Sequence, residues 1–247
     1  MIFLRFGVKS DKGMVREINE DSYNIIAGYS EIPVAFIIAD GMGGHNSGEI
    51  ASKMAVEYIS NSVMNISKDF ENSDIAETIK GFMEKANADV YKASQEHEDN
   101  FGMGTTLITA LVYQKKMYIG HVGDSRVYLI RENRIERLTT DHSFIEELIK
   151  SGTLTREEAE NHPKKNIITR ALGCSEDIQV DTYIADIMSD DTFILCTDGL
   201  SNMLDDDEIM EIVKANDEPA AVCEKLVDAA NKNGGEDNIT VILIKND

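Results

Sequence analysis

The sequence predicts an α+β fold, and three observations carry that prediction. Short apolar segments rich in β-branched and aromatic residues are bounded by Gly, Asp or Asn, as strands are. Two helical periodicities lie side by side in the first half, and two more lie near the C-terminus. The order is strands, two helices, strands, an irregular region, a strand, two helices and a strand. Helices grouped away from an antiparallel sheet mark α+β rather than βαβ winding.

Residues 34–39, 105–113, 117–122, 127–130, 192–197 and 239–244 read as strands, and 23–27 is a further candidate. Lys115-Lys116 reads as a tight turn, which makes the run from 105 to 130 an antiparallel meander. After Gly48, the apolar positions Ile50, Ala51, Met54, Ala55, Tyr58 and Ile59 repeat at helical spacing. From about Ser73, Ile75, Ile79, Phe82, Met83, Ala86, Val90 and Ala93 do the same, and the two helices are expected to pack as an antiparallel pair. The late pair covers about 206–215 and 219–231, and a shorter helix at about 143–151 follows Asp141-His142. The segment 141–173 is the least regular. From its pattern it reads equally as a mobile lid or a plain surface excursion.

The chain has 247 residues, of which 42% are hydrophobic and 28% charged, with three Pro and 17 Gly. That excludes a disordered, collagen-like or low-complexity protein. No repeat and no Pro-, Gly- or Ser-rich linker divides it, so residues 1–247 read as a single domain. The balance of 24 Lys and Arg against 45 Asp and Glu is −21. Such a surface argues against nucleic acid and anionic membranes as partners, because both are bound through basic residues. Three scattered cysteines, 174, 196 and 223, imply a reducing compartment without a disulfide framework. The first residues carry too short an apolar run for a signal peptide, and no stretch is long enough to span a membrane. The expected location is the cytoplasm.

The chemistry is concentrated in five aspartates. Asp40 ends the apolar strand VAFIIAD and opens Gly41-Met42-Gly43-Gly44. Asp198 ends TFILCTD before Gly199, and Asp237 opens the strand ITVILI. Asp21 precedes the candidate strand at 23–27, and Asp124 lies between two strands. A lone Asp-Gly after a strand is more often a turn than a ligand. Five carboxylates at strand ends are costly to bury unless paired or metal-bound. Spacing alone leaves turns and a metal cluster both open. If the ends converge, Mg²⁺ or Mn²⁺ are the natural partners of such hard oxygen donors.

Eight segments, in order, resemble the metal-dependent protein Ser/Thr phosphatases of the PPM (PP2C) family, of the compact bacterial type. They are Arg16-Glu17-Ile18-Asn19-Glu20-Asp21, Asp40-Gly41-Met42-Gly43-Gly44-His45, Gly104-Thr105-Thr106, Val122-Gly123-Asp124-Ser125-Arg126 and Asp141-His142-Ser143, then Ile168-Thr169-Arg170-Ala171-Leu172-Gly173, Thr197-Asp198-Gly199-Leu200 and Asp237-Asn238-Ile239-Thr240. The resemblance implies a four-layer α-β-β-α sandwich of two antiparallel sheets flanked by helix pairs, with the metal centre at one end. It implies one cation on Asp40, Asp198 and Asp237. It implies a second on Asp21, Asp40 and the carbonyl of Gly41, with Glu20 acting through water. Asp124 with Asp198 matches a weaker third site. Arg16 matches the phosphate-binding arginine, whose planar fork suits that role.

In such a family, a hydroxide bridging two cations about 3.5–4 Å apart attacks phosphorus in line. The segment at about 141–173 becomes a flap beside the site. Its charges, Glu146, Glu147, Lys150, Arg156, Glu157, Glu158, Lys164 and Lys165, are expected to influence substrate choice. One departure is plain: Met42 stands where animal members carry a histidine held to be the general acid. His45, three residues on, is read as a helix-entry or supporting residue. His121 reads as structural, His142 as a helix start, and His97 and His162 give no signal. Cys196 reads as core and Arg126 as a support for Asp124. Asn238 and Thr240 read as anchors of the Asp237 turn.

The resulting expectation is a cytoplasmic, monomeric Mg²⁺/Mn²⁺ phosphatase of phosphoserine and phosphothreonine proteins, opposing a bacterial Ser/Thr kinase. Two alternatives stand beside it: a catalytically silent cation- or partner-binding domain of the same fold, and a phosphatase dedicated to anti-sigma-factor antagonists.

Overall fold

The computed structural model describes residues 3–43, 47–66, 70, 73–96, 98–159 and 162–247. His45 and His97 lie outside the described residues. Two five-stranded sheets organise the chain, and every pairing within them is antiparallel. The first contains, in order, β1 (Leu4–Asp11), β12 (Ile239–Asn246), β11 (Thr192–Cys196), β8 (Arg126–Arg131) and β9 (Arg134–Arg137). The second contains β10 (Asp181–Asp186), β7 (Lys116–Val122), β6 (Leu107–Tyr113), β3 (Val34–Ala39) and β2 (Ser22–Ile26). A two-residue ladder, β4 (Gly41–Met42) with β5 (Gly104–Thr105), extends the second sheet's end.

The side-chain period of two sorts these strands into layers. On β3, Phe36 and Ile38 face the other sheet, whereas Ala35, Ile37 and Ala39 face helices α1 (Gly48–Met64) and α2 (Ile75–Glu96). On β12, Ile242 and Ile244 face inward, whereas Val241 and Leu243 meet α6 (Asp206–Lys214) and α7 (Pro219–Lys232). Central strands are therefore apolar on both faces, and their hydrophobic runs are continuous. Each such side chain contributes roughly 1.5–3 kcal/mol on burial. The three apolar layers make the four-layer α-β-β-α sandwich that the sequence implied.

The helices start and stop where local chemistry directs. Asp205 caps α6 and exchanges hydrogen bonds with Glu208 in a capping box, and Pro219 opens α7. Ser143 caps α3 (Phe144–Lys150), so the helix start predicted at His142 falls one residue later.

The meander expected over 105–130 is broken. β6 and β7 form a hairpin, but β7 and β8 lie in different sheets, and Gly123 (φ 111°) turns the chain from one to the other. The turn between β6 and β7 centres on Gln114 and Lys115, both left-handed, one residue before the expected pair. Thr106 separates β5 from β6, so the single strand expected over 105–113 is two. Segment 141–173 contains α3, α4 (Arg156–Ala159) and bridges of Ser143 to Ile168 and Leu172 to Thr105. β1, β9 and β10 were not foreseen. All three are sheet edges, where one neighbour and one wet face leave an ordinary polar sequence.

Candidate active site

Strand register brings the five aspartates to one end of the sandwich. Ser22 pairs with Ala39, so Asp21 and Asp40 leave adjacent strand ends of the second sheet. Cys196 pairs with Val241 and also with Arg126, which sets Asp198, the Asp237 turn and Asp124 side by side. Asp198 opens the short helix α5 (Asp198–Ser201). The sequence placed all five at strand ends, and the tertiary structure makes those ends one end.

Polar side chains that bridge the sheets hold the group in place. Asp21 Oδ2 accepts from Thr240 Oγ1 at 2.6 Å and from Thr197 Oγ1 at 3.0 Å. The amide of Asp40 donates to Thr106 Oγ1 (2.9 Å), which also bonds Ser125 Oγ (2.8 Å) beside Asp124. Asn202, one helical turn beyond Asp198, donates to its Oδ2 at 3.0 Å. Asn238 accepts from the Glu20 amide and donates to the carbonyls of Lys12 and Ile18, fastening the loop that carries Arg16 and Glu20. Asn238 thus anchors the Asp237 turn as expected, whereas Thr240, expected to do the same, bonds Asp21 and Ser10 instead. The roles of Thr106, Thr197 and Asn202 were missed. Only Asn202, at i+4 from an expected site residue, carried a local signal.

Close backbone approach is built in at Gly41, where a Cβ would collide with the carbonyls of Gly48 and Glu20. At Gly199 a Cβ would strike the Asn238 carbonyl.

The aspartates disturb one another's ionisation. Burial, then the charges of Asp21, Asp198, Asp124 and Asp237, drive the Asp40 carboxyl well above the carboxylate range. Burial, followed by Asp198 and Asp141, pushes Asp124 up to about 8. Asp21 rises to about 7, chiefly by burial, although the two threonine hydroxyls pull against it. Asp198 rises to about 6 through burial and the nearness of Asp237, and Glu20 rises through burial. One oxygen on each of Asp21, Asp124 and Asp198 is shut from solvent and has no hydrogen-bond partner.

Orphaned buried carboxylate oxygens, raised affinities for protons and an all-oxygen donor set fit a hard divalent cation. Among the described residues, no three His, Cys, Asp or Glu side chains form a ready-made cage. Mg²⁺ does not need one, since it binds through one or two carboxylates and keeps several waters.

Arg16 is not a free cation. Its Nη2 lies 2.7 Å from Asp237 Oδ2, with the guanidinium half-exposed at the mouth of the site. Arg126, expected to support Asp124, instead grips Asp141, with Nη2 2.7 Å from Oδ2 and Nε 3.1 Å from both oxygens. Bidentate geometry favours Asp141, and Asp124 feels Arg126 only as a nearby charge. Cys196 is core, its thiol pushed up to about 12 by burial. His121 is fully buried, as its structural reading required.

The protein phosphatase 2C family model matches residues 15–240. The serine/threonine phosphatase stp of Listeria monocytogenes is 38% identical over 97% of this chain and 94% of its own length. Among solved structures, the serine/threonine phosphatase of S. agalactiae superposes with a TM-score of 0.90, at 34% identity over 98% of this chain and 99% of that one. The catalytic domain of the phosphatase PstP, in complex with two manganese ions, superposes at 0.86 with 30% identity, over 100% of this chain and 99% of that one. The chain therefore belongs to the protein phosphatase 2C family. It is a metal-dependent protein serine/threonine phosphatase, a hydrolase of phosphorylated proteins. The silent-domain alternative falls with that finding.

Proposed function

We propose that Asp21, Asp40, Asp198 and Asp237, with the Gly41 carbonyl, hold two Mg²⁺ or Mn²⁺ ions. Glu20 acts through water, and Asp124 with Asp198 serves a third ion. The observation that carries this assignment is the set of buried carboxylate oxygens left without partners on Asp21, Asp124 and Asp198. When bound, the cations supply charge stabilisation and lower the pKa of water toward neutrality.

The chain's own residues do the rest. Asp40 feels the charges of all four other aspartates, which suits a shared ligand. Thr197 and Thr240 hold Asp21 by hydrogen bonds to Oδ2 and leave Oδ1 open toward a ligand. Asn202 does the same for Asp198. Arg16 presents a planar guanidinium that meets two phosphoryl oxygens and releases Asp237 as a phosphoryl group arrives. Nucleophilic catalysis by cysteine has no support, because Cys196 is buried with its thiol protonated. Met42 carries no proton to give, so the leaving alkoxide takes its proton from water or another group.

The 1–247 chain acts as one domain whose flap at about 141–173 helps select substrates. Three of its charges are engaged internally, Arg156 among them through its pairing with Glu146. Glu146 is buried between Arg137 (3.3 Å) and Arg156 (3.5 Å), and Lys164 lies over the Phe144 ring. Selection therefore falls to Glu147, Lys150, Glu157, Glu158 and Lys165. The partners are phosphorylated proteins, a Ser/Thr kinase among them, met by a monomer in the cytoplasm. No helix of the described residues is long and apolar enough to cross a membrane.

The test is hydrolysis of a phosphothreonine peptide with Mn²⁺, with excess EDTA, and by Asp198→Ala in Mn²⁺. Activity in the first alone supports the assignment. Full activity of the variant removes Asp198 from the centre.

A further inference from the structure

We propose that His142 is the positioning residue for Asp124: its ring fixes the Gly123-Asp124-Ser125 turn and thereby sets where the Asp124 carboxylate stands. This rests on the reading of Asp124 as a cation ligand. The contact is reciprocal. The Gly123 amide donates to His142 Nδ1 at 3.0 Å, and the His142 amide donates to the Gly123 carbonyl at 2.8 Å. An amide can only donate, so Nδ1 is the accepting nitrogen and the proton sits on Nε2. Nε2 lies 3.2 Å from Asp181 Oδ2, which accepts that proton's hydrogen bond and holds the ring in this tautomer. Arg170 Nη1 is 3.0 Å from the same nitrogen but has its own acceptors in Asp181 Oδ1 (2.8 Å) and the Gln179 carbonyl (3.2 Å).

The turn depends on this ring. Gly123 sits at φ 111°, where the chain leaves the second sheet for the first, and no strand pairing supports it. On the other side, His121 Nε2 bonds the Ser125 carbonyl at 2.8 Å, and its ring packs against that of His142, tilted by 37°, with centroids 4.8 Å apart. Burial lowers the proton affinity of the His142 imidazole, in keeping with an accepting Nδ1. The same residue opens the flap, since its carbonyl accepts from the Thr169 amide at 2.8 Å. His142 therefore joins both ends of the flap to the loop carrying Asp124, and a loose turn would leave that carboxylate in place only part of the time.

Two amide substitutions separate the ring's two nitrogens. The Oδ1 of asparagine falls where Nδ1 stands and can accept from Gly123, whereas glutamine reaches the Nε2 position instead. Mn²⁺ binding to the folded chain, followed by calorimetry and by the EPR signal of free Mn²⁺, gives a readout independent of turnover. Asp124→Ala is expected to abolish the weakest class of sites. His142→Ala and His142→Gln are expected to weaken that class about tenfold or more, with the tighter sites unchanged. His142→Asn is expected to stay within about threefold of the parent. If His142→Ala does not fold, the Asn and Gln variants carry the comparison. Weak-site affinity unchanged in His142→Gln, or lost equally in His142→Asn, overturns the proposal. A weak class that survives Asp124→Ala overturns the parent reading of Asp124, and the proposal with it.

Discussion

The Thr240 hydroxyl donates to Asp21 Oδ2 at 2.6 Å, and this bond joins the two sheets at the end where the carboxylates gather. Thr240 lies on β12 of the first sheet, and Asp21 immediately precedes β2 of the second. Thr240→Val keeps the shape and removes the donor, leaving Asp21 with Thr197 alone. The Mn²⁺ concentration for half-maximal turnover is expected to rise about tenfold, with turnover at saturating Mn²⁺ little changed. An unchanged metal dependence would show that the bond only ties the sheets together.

Without divalent cations, the clustered carboxylates make stability depend on pH. Folded-state values of about 7 for Asp21 and about 8 for Asp124 exceed the unfolded value of 3.8, so the folded chain binds more protons between these limits. Stability therefore falls as pH rises through that window. His121 (pushed down to about 3) and His142 (also lowered, by burial) act oppositely, but only below their unfolded value of 6.5. Above pH 6.5 the carboxylates lead, and the buried thiols of Cys196 and Cys223, raised from 9.0 to about 12, add a loss of the same sign only as pH nears 9. In EDTA, Tm is expected to drop between pH 6.5 and 8.5, and Mn²⁺ is expected to abolish the drop. A flat EDTA profile would mean that burial and neighbouring charge do not raise these carboxyls in the folded chain.

Arg16 is tied to Asp237 at 2.7 Å and half-exposed. Arg16→Ala is expected to lower kcat/KM for a phosphothreonine peptide by roughly 10–100-fold, the range for losing a hydrogen bond to a charged group. Arg16→Lys is expected to recover only part of this, because an ammonium cannot span two oxygens. Equal recovery by lysine would reduce Arg16 to a point charge.

Cysteine is expected to play no part in the chemistry. Cys196 and Cys223 are buried, each thiol pushed up to about 12, whereas Cys174 is exposed. Alkylation of the native chain at pH 8 is expected to modify Cys174 alone, seen by mass spectrometry, and to leave activity in place. Inactivation that tracks modification of Cys196 would contradict this.

The local sequence by itself determined β3, β11 and β12, the four long helices and the five aspartates at strand ends. Central strands buried on both faces read as continuous apolar runs, and amphipathic helices write their environment into every third to fourth residue. The ordered motifs carried the pairing of those aspartates into one site by resemblance, which local pattern alone left open against simple turns.

Only the tertiary structure decided the rest. The edge strands β1, β9 and β10 bury too little to show a pattern. The crossing at Gly123 separates strands that sequence proximity had joined. Arg16 meets Asp237, Arg126 meets Asp141, Asp21 meets Thr240 and His142 meets Gly123 across 15 to 221 residues of chain. Such contacts form where two sheets meet, and one residue's neighbours in sequence hold no record of them.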